Sequence, residues 1–438
     1  MPAPDPGRAH ARAMTAPGDD LDAWLRRLER GHPQAIAMGL DRVGRVWRAL
    51  GAPRPGARVI TVGGTNGKGS TVAFLEAAAG AAGLRVGCYT SPHLHRYNER
   101  VRIAGQDVDD ATLVAAFERV ERARGGIALT YFEAGTLAAF LVLAAAGIDL
   151  AVLEVGLGGR LDAVNLIDAE VAVVTTVALD HQDWLGDSRA AIAVEKAGIA
   201  RAGRPLLVGE RDAEPALLAA VEAIGARPLR LGRDHDWLPG PPPLCLLAER
   251  RVELPDRLPL AAPAQWDNAT TALAALHALD AGIDLAAAAR GLAKARLPGR
   301  LQVADGDPRV VLDIGHNPQA AAELARWLAA QDGTTDAVFS ALADKDLAGV
   351  VSPLLAHVRI WHLAGLAGDS PRGLTVDALA RRLADLLPAG RVRLHADVPT
   401  ALAAARAGAA ADGRILVFGS FLTVARAEAA LRVPERPA

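Results

Sequence analysis

The sequence contains very little lysine. Only 4 of its 48 basic residues are lysine, and the remaining 44 are arginine. Where a positive charge only keeps a surface hydrated, this chain therefore uses arginine. Lysine differs because it is a compact point charge suited to phosphate, and because its amine can lose a proton and react. The four lysines, Lys68, Lys196, Lys294 and Lys345, are therefore the first candidates for chemical roles.

Cysteine, aromatic residues and excess charge are also scarce. Two distant cysteines, Cys88 and Cys245, form neither a disulfide framework nor a cysteine zinc cluster, and this usage is typical of a reducing cytoplasm. With 7 Trp, 3 Tyr and 7 Phe and a net charge of −2, the chain lacks the stacking platforms and the basic field that nucleic acid requires. We expect no nucleic-acid partner.

Long apolar segments are missing as well. Runs such as residues 137–146 are shorter than the ~20 residues that a membrane helix needs. Residues 1–18 are rich in Pro, Ala and Arg and lack the apolar run of a signal peptide. We expect a soluble, cytoplasmic protein without a membrane partner, and we interpret residues 1–18 as a disordered tail.

Apolar β-branched runs alternate with alanine-rich helical stretches along most of the chain. This alternation predicts an α/β fold with mostly parallel sheets covered by helices. The pattern breaks between about residues 231 and 263, and a Pro-, Gly- and Asp-rich stretch near residue 304 indicates a hinge. We predict two domains: residues 19–303, with helices on both faces of the sheet, and a smaller Rossmann-like α/β domain, residues 304–438. The predicted strands are 59–62, 150–155, 171–177, 205–208, 310–313, 337–340, 358–363 and 415–418.

A glycine loop, residues 63–70, joins a predicted strand to a predicted helix at 71–82. At such a junction, backbone N–H groups and the helix dipole can hold phosphate. Lys68 would reach the outer phosphates, and Ser70 or Thr71 would offer a hydroxyl to Mg²⁺. The order Gly-Lys-Gly-Ser departs from the usual Gly-Lys-Ser/Thr, and a glycine-rich turn without a ligand is the alternative. The combination of strand, helix, lysine and hydroxyl favours a P-loop ATPase-like N-terminal domain.

A second glycine segment, residues 156–161, also follows a predicted strand. It differs from the dinucleotide-binding fingerprint because Leu161 stands where the third glycine is needed. The segment therefore argues against an NAD enzyme.

Ten short segments along the chain form a recognisable set: residues 64–71, 91–94, 99–102, 130–133, 153–162, 179–186, 195–199, 298–300, 313–318 and 419–421. Together they resemble the bacterial bifunctional dihydrofolate synthase/folylpolyglutamate synthases of the Mur ligase superfamily. The resemblance covers nearly the whole chain, and its combination of motifs is highly specific.

The resemblance implies a ligase. It would join L-glutamate to dihydropteroate, giving dihydrofolate, and to reduced folylpolyglutamates, with ATP as co-substrate and an acyl phosphate as intermediate. It also implies two Mg²⁺ ions, a monomer, and a glutamate-ligase role for residues 304–438. This chemistry needs positioned phosphates, neutralised charge and a site that excludes water.

The resemblance assigns magnesium to Ser91, Glu154 and His181, and a CO2-derived carbamate on Lys196 to a second magnesium. The first three lie at or just beyond the carboxyl ends of predicted strands, where parallel sheets bind ligands. Lys68, His181 and Lys196 are the expected catalytic residues. The residues by themselves also allow a surface hydrogen bond for His181, and a helix-end interaction of Lys196 with Glu195 or with the helix dipole.

ATP contacts are implied on both sides of the hinge, so that domain closure would complete the site. The implied residues are Thr65, Asn66, Gly67, Lys68, Gly69, Ser70, Asn268, Arg300 and Asp313.

The resemblance also implies an acceptor site with two aromatic rings, Tyr131 and Phe132, on which a flat pterin ring could stack. The alternative places Phe132 in the core and leaves only Tyr131 exposed. Ala37 departs from the acidic residue of bifunctional relatives, and Gly315 from their alanine. The implied substrate residues are Ile36, Ala37, Met38, Thr130, Tyr131, Phe132, Glu133, Leu161, Asp162 and Ala163, with His316 and Ser420 on the glutamate side.

Two lysines remain without a firm role. Lys345 lies between Asp344 and Asp346, where a family-like motif and a surface ion pair are both consistent with the sequence. We interpret Lys294 as an ordinary surface charge.

Two other functions remain as alternatives. One is a ligase of the same superfamily that acts on a UDP-sugar acid, against which segments 130–133 and 180–186 argue. The other is a nucleotide-dependent regulatory protein that uses the phosphate loop without ligation.

Overall fold

A computed structural model describes residues 20–432, except residues 33, 35, 249, 281 and 305–307. Residues 1–18, which we interpret from the sequence as a disordered tail, lie outside this range. Across the described ranges, the chain forms no helix that is both long enough and apolar enough to cross a bilayer.

The first sheet has eight strands and is mostly parallel. The strands are β1 (Arg58–Gly63), β2 (Val86–Tyr89), β3 (Val101–Ile103), β4 (Gln106–Asp107), β5 (Leu150–Glu154), β6 (Val171–Val174), β7 (Pro205–Val208) and β8 (Arg227–Arg230). Their order is β4-β3-β2-β5-β1-β6-β7-β8, and only β3 runs antiparallel to its neighbours. The central strand β1 pairs in parallel with β5 and β6.

Helices cover both faces of this sheet, as predicted. They are α1 (Leu21–Arg30), α2 (Asp41–Ala49), α3 (Lys68–Ala81), α4 (Asp110–Arg124), α5 (Tyr131–Ala145), α6 (Gln182–Leu185), α7 (Arg189–Ala197), α8 (Pro215–Ile224), α9 (Gln265–Leu279) and α10 (Leu285–Gly291). Helices α3, α9 and α10 form one core with the sheet, while α1, α2, α4, α5, α7 and α8 form the other. Adjacent residues Val59 and Ile60 belong to opposite cores because side chains alternate along a strand.

The break in the predicted pattern contains a small antiparallel sheet that the sequence did not predict. Its strands are β9 (His235–Leu238), β10 (Leu244–Leu247) and β11 (Arg250–Glu253). Cys245 and Leu247 of β10 are buried in the same core as α3 and α9. The strands are short and separated by prolines and charged residues, so the sequence signal for a sheet was weak.

The second sheet has six strands: β12 (Gln302–Ala304), β13 (Arg309–Asp313), β14 (Thr335–Phe339), β15 (Trp361–Ala364), β16 (Val392–His395) and β17 (Arg414–Phe418). Their order is β12-β13-β17-β14-β15-β16, and all pair in parallel except β12 with β13. One face is covered by α11 (Pro318–Ala329), α12 (Leu347–Val351) and α13 (Val376–Leu383), and the other by α14 (Val398–Gly408) and α15 (Phe421–Arg432).

The two-domain α/β fold class is therefore confirmed. The predicted boundary at residue 304 falls within β12, which already belongs to the second sheet, and the boundary itself stays a prediction. The edge strand β16 was not predicted. Its exposed Leu394 and charged Arg393 obscure the apolar pattern of a strand.

Several predicted site residues meet at one edge of the first sheet. The phosphate loop follows β1, Ser91 follows β2 after one residue, and Glu154 is the last residue of β5. Because these strands run parallel in adjacent positions, their carboxyl ends bring the three features together.

Two histidines are hydrogen-bonded to each other in the second sheet. His362 Nδ1 lies 3.0 Å from His395 Nε2, and the His362 side chain is buried. Burial, and next the neighbouring His395, lower the pKa of His362 to about 4, against an opposing effect of Asp336. The positive charges of Arg393 and Arg359 act in the same direction as His395.

This pair predicts an acid-sensitive stability. The unfolded chain binds a proton on His362 near pH 6.5, whereas the folded protein binds it only near pH 4. The stability from neutral His362 is therefore fully present above pH 6.5 and is lost as the pH falls towards 4. Between neutral pH and pH 4, we expect the free energy of unfolding of the His362→Gln variant to fall by about 1 to 3 kcal/mol less than that of the wild type. Thermal unfolding at the two pH values measures this difference. A matched variant, His357→Gln, should keep the wild-type profile, and coincident profiles for all three proteins would contradict the assignment.

Candidate active site

A cleft of about 480 Å³ brings the predicted site residues together, and residues from both domains line it. Three predicted residues, Ser70, Asn268 and Asp313, are not among the lining residues and are buried next to it. The predicted residues that line the cleft are Ile36, Ala37, Met38, Thr65, Asn66, Gly67, Lys68, Gly69, Ser91, Thr130, Tyr131, Phe132, Glu133, Glu154, Leu161, Asp162, Ala163, His181, Lys196, Arg300, His316 and Ser420.

The phosphate loop is shaped by two glycines. Gly64 has a φ of 142°, and a Cβ placed there would lie 1.9 Å from Thr175 Oγ1. Gly67, at the start of α3, has a φ of 86°, in the left-handed region that favours glycine. Thr65 N–H donates to Thr176 O at 2.8 Å. The loop is therefore held closely against the end of β6, with the start of α3 facing the cleft.

Lys68 lies folded against this loop. Its Nζ donates to Gly64 O at 3.0 Å and to Thr65 O at 3.2 Å. Burial lowers the pKa of Lys68, although the negative charges of Glu154 and Asp180 oppose the shift. The lysine is thus a half-buried cation beside the helix end where phosphates are expected.

Oxygen atoms suited to a divalent cation are grouped next to the loop. Glu154 is 4% exposed, and its Oε2 accepts Ser91 N–H at 3.2 Å. Burial raises the pKa of Glu154, and the charge of Lys68 counteracts that shift. The buried Ser70 Oγ has no hydrogen-bond partner. A carboxylate and an unpartnered hydroxyl fit the preference of Mg²⁺ for hard oxygen ligands.

His181 lines the same cleft from the residue before α6, where its φ is 52°. Among the residues that the structure describes, no group of three or more His, Cys, Asp and Glu side chains is arranged to hold a metal ion. A metal bound beside Glu154 would therefore need serine hydroxyl, phosphate or water oxygens as well.

Lys196, on α7, is 3% exposed and has no carboxylate partner within the described part of the chain. Burial, followed by the positive charge of Lys68, lowers the pKa of Lys196 to about 7. Its neighbour Glu195 pairs instead with Arg160, at 2.7 Å. Lys196 therefore does not pair with Glu195, although it lies in the last turn of α7, where the helix dipole favours a cation.

The second domain contacts this site through Asp180. Lys345 Nζ donates to Asp180 Oδ1 at 2.8 Å, and the Lys345 side chain is buried. Asn317 donates to the same carboxylate at 3.2 Å, and His316 Nε2 lies 3.7 Å from it. Burial opposes ionisation, but His316, His181 and Lys345 hold the pKa of Asp180 well below its ordinary range. Lys345 is thus a buried cation whose shortest ion pair, with Asp180, joins the two domains, and its contact with the neighbouring Asp344 is longer, at 3.9 Å.

Asn66, in the phosphate loop, also reaches the second domain. Its Nδ2 donates to Asn317 Oδ1 at 3.0 Å and to Gln319 Oε1 at 2.6 Å. Asp180, Asn317 and Gln319 were not among the predicted site residues. Asp180 and Asn317 lie within segments of the resemblance, but their partners are distant in sequence, so their contacts required the tertiary structure.

The predicted nucleotide residues have different surroundings. Asn268, in the first turn of α9, lies 2.8 Å from the position of a Cβ on Gly67. Arg300 lines the cleft, and its buried Nε has no hydrogen-bond partner. Asp313 accepts N–H groups from Leu301 at 2.9 Å and Gly315 at 2.7 Å. Direct contact of Asp313 with ATP stays a prediction.

Both predicted aromatic residues line the cleft. Tyr131 and Phe132 are each half-buried, and both also pack against the core of the first domain, so stacking on an acceptor ring stays a prediction. They begin helix α5, whose first turn is capped by reciprocal hydrogen bonds between Thr130 and Glu133. These bonds fix the direction of the aromatic rings relative to the phosphate loop.

Arg42 was not predicted, although it organises the same wall. Its Nη2 lies 2.7 Å from Glu133 Oε1 and donates to Ala37 O. On the opposite side, buried Asp162 accepts Leu157 N–H at 2.8 Å, and burial raises the pKa of Asp162 to about 6. The acceptor side of the cleft is therefore rigid and partly apolar.

Comparison with known proteins agrees with this geometry. The family model described as Mur ligase, glutamate ligase domain, matches residues 299–421. The dihydrofolate synthase/folylpolyglutamate synthase of Escherichia coli K12 is 44% identical over 414 residues, covering 92% of this chain and 94% of that protein.

Solved structures are similar over nearly the full length. Escherichia coli FolC in complex with DHPP and ADP has a TM-score of 0.88 at 42% identity, covering 94% of this chain and 98% of that chain. The bifunctional folylpolyglutamate synthase/dihydrofolate synthase of Yersinia pestis, complexed with AMPPNP and a Mn ion, has a TM-score of 0.89 at 42% identity, covering 96% and 100%. The chain therefore belongs to the dihydrofolate synthase/folylpolyglutamate synthase family.

Proposed function

We propose that this protein is an ATP-dependent ligase that joins L-glutamate to dihydropteroate and to reduced folates through an acyl phosphate. It would act as a cytoplasmic monomer. The observation that supports this proposal is one continuous cleft. It is lined by the phosphate-loop Lys68, the aromatic residues Tyr131 and Phe132, and His316 and Ser420 of the second domain. Such a cleft places a nucleotide, a ring-bearing acid and an amino acid side by side.

The phosphate loop carries the first half of the reaction. Its N–H groups and Lys68 would hold the transferred phosphoryl group against the acceptor carboxylate and stabilise the charge that develops. Ser91, Glu154 and His181 would hold a divalent cation, with the Ser70 hydroxyl as a further oxygen, and the cation would neutralise phosphate charge when bound. The position of Lys68 under the loop directs its charge at the phosphates.

The second domain carries the other half. His316 and Ser420 form the wall where L-glutamate would bind, so that its amino group faces the acyl phosphate. The contacts of Asp180 with Lys345 and of Asn66 with Asn317 hold the domains close together. This closeness would exclude water, which would otherwise hydrolyse the intermediate.

Glutamate-dependent ADP release tests the proposal directly. With dihydropteroate or with a reduced folate as acceptor, we expect turnover only when L-glutamate is present. Turnover with a UDP-linked acid and none with dihydropteroate would point to the rival ligase. Slow ATP hydrolysis indifferent to glutamate would point to a regulatory protein.

We further propose that Lys196 carries a CO2-derived carbamate that supports a second Mg²⁺ site. The support is a buried amine without a carboxylate partner among the described residues, with a pKa near 7, in the same cleft as Lys68. Only a neutral amine reacts with CO2, so arginine cannot replace this lysine.

The carbamate predicts that activity depends on bicarbonate. Wild-type turnover should fall in carefully degassed buffer and recover when bicarbonate is added, and isotopically labelled bicarbonate should give a carbamate carbon signal in NMR spectra. Lys196→Arg should lack both the recovery and the signal. Lys294→Arg alters an exposed lysine and should behave as wild type. Equal activity with and without bicarbonate would count against the carbamate.

Lys68→Ala tests the phosphate loop. We expect kcat to fall by about 100- to 1,000-fold or more, because a preorganised charge at the phosphates is lost. The free energy of unfolding should change by only about 1 kcal/mol, since the Nζ donates only to two loop carbonyls. ADP release and thermal unfolding measure the two effects, with Lys294→Ala as the control. A loss of stability as large as that of a core mutant would indicate a structural lysine.

A further inference from the structure

Arg100 is a buried arginine in the cleft with no carboxylate partner in the described residues. Its side chain lines the cleft, and the residue is 8% exposed. Nearby arginines differ: Arg102 pairs with Glu76 at 2.8 Å, and Arg372, which also lines the cleft, bonds to both oxygens of Asp344. A buried charge without a partner costs stability unless a ligand compensates it.

The orientation of Arg100 is determined by its neighbours. Its Nε donates to His93 Nδ1 at 2.9 Å. The guanidinium carbon lies 5.1 Å from the ring centroid of Tyr97 and 5.6 Å from that of Tyr131.

Two donor groups of Arg100 remain available. Within the described part of the chain, its Nη1 and Nη2 atoms make no hydrogen bond, and neither is a fully buried, unsatisfied atom. The planar guanidinium group is therefore held by the hydrogen bond of its Nε and by the aromatic rings. Its two Nη atoms remain available to an anion. A carboxylate matches these atoms with two parallel hydrogen bonds.

Arg100 contacts residues that belong to both parts of the expected acceptor site. Its guanidinium lies beside Tyr131, in the wall where the acceptor ring is expected. Its hydrogen-bond partner His93 is two residues from Ser91, whose N–H donates to Glu154 beside the phosphate loop. An anion bound by Arg100 would thus belong to the part of the acceptor between its ring system and its reacting carboxylate.

We propose that Arg100 binds the α-carboxylate of the glutamyl unit of a folate acceptor and so supports chain extension selectively. This inference rests on the proposed ligase function. Dihydropteroate has a single carboxylate, which is the reacting one. A folate has a reacting γ-carboxylate and, a few bonds away, an α-carboxylate that stays intact. Only the folate therefore offers Arg100 a carboxylate that stays charged throughout the reaction.

The variants Arg100→Gln and Arg100→Lys test this role on both acceptors. For Arg100→Gln, kcat/KM with a reduced folate monoglutamate should fall by about 10- to 100-fold, mainly through KM, as expected when a charged hydrogen bond to bound substrate is lost. With dihydropteroate it should change little. The kcat/KM of Arg100→Lys with the folate should lie between those of the wild type and Arg100→Gln, because lysine keeps the charge but cannot form two parallel hydrogen bonds. Arg96→Gln alters an exposed arginine of the same segment, paired with Asp110, and should leave both activities unchanged.

A modified acceptor provides a test that needs no variant. A reduced folate whose α-carboxylate is replaced by a carboxamide should lose a similar factor in KM with the wild-type protein. Arg100→Gln should barely distinguish the acid from the amide, which is the coupling expected of a direct contact. If thermal unfolding reveals that Arg100→Gln is misfolded, the comparison of acid and carboxamide with the wild-type protein still tests whether the α-carboxylate is bound.

The results separate this inference from the proposed function. Equal losses on both acceptors, or an unchanged wild-type KM for the carboxamide, would overturn the role of Arg100 while leaving the ligase intact. A wild-type protein that ligates glutamate to neither acceptor would overturn the proposed function itself.

Discussion

The close packing of the phosphate loop against the end of β6 is the constraint on which the rest of the site depends. Gly64 leaves no room for a side chain beside Thr175, and Gly67 adopts a left-handed conformation just before α3. The loop can therefore turn from β1 into α3 in one tight step. Lys68 is consequently placed next to Glu154 of the neighbouring strand, and both face one cleft with the acceptor wall.

The charges of the cleft follow from the chemistry that it would support. Four positively charged side chains line it without an ion pair among the described residues: Lys68, Arg100, Lys196 and Arg300. The substrates expected here, a nucleotide triphosphate and acids, are all anions. An excess of positive charge attracts such ligands and is compensated when they bind. Burial, and next the positive charge of Lys68, lower the pKa of Lys196.

Local sequence signals were sufficient for the core of the fold and for much of the site. The central strands β1, β5, β6 and β7, the phosphate loop and the two-domain α/β class were predicted, because buried parallel strands and glycine turns have strong local patterns. Strands β3, β4, β8 and β12, the sheet of β9, β10 and β11, and the edge strand β16 were missed. Their residues are partly exposed and mix charged with apolar types, so their strand character comes from pairing with neighbours rather than from composition.

The lysines separate what sequence and tertiary structure each decide. Glycine spacing at a strand-to-helix junction is a local property, and it identified Lys68 as a phosphate residue from the sequence. The partner of Lys345 is Asp180, in the other domain, and no local pattern identifies such a pair. Likewise, Arg100 resembles any other arginine until the folded chain surrounds it with His93 and aromatic rings and supplies no carboxylate within the described residues. Residue types and their spacing thus determine which chemistry is available, whereas burial and partners, which depend on segments far apart in sequence, determine where each charge acts.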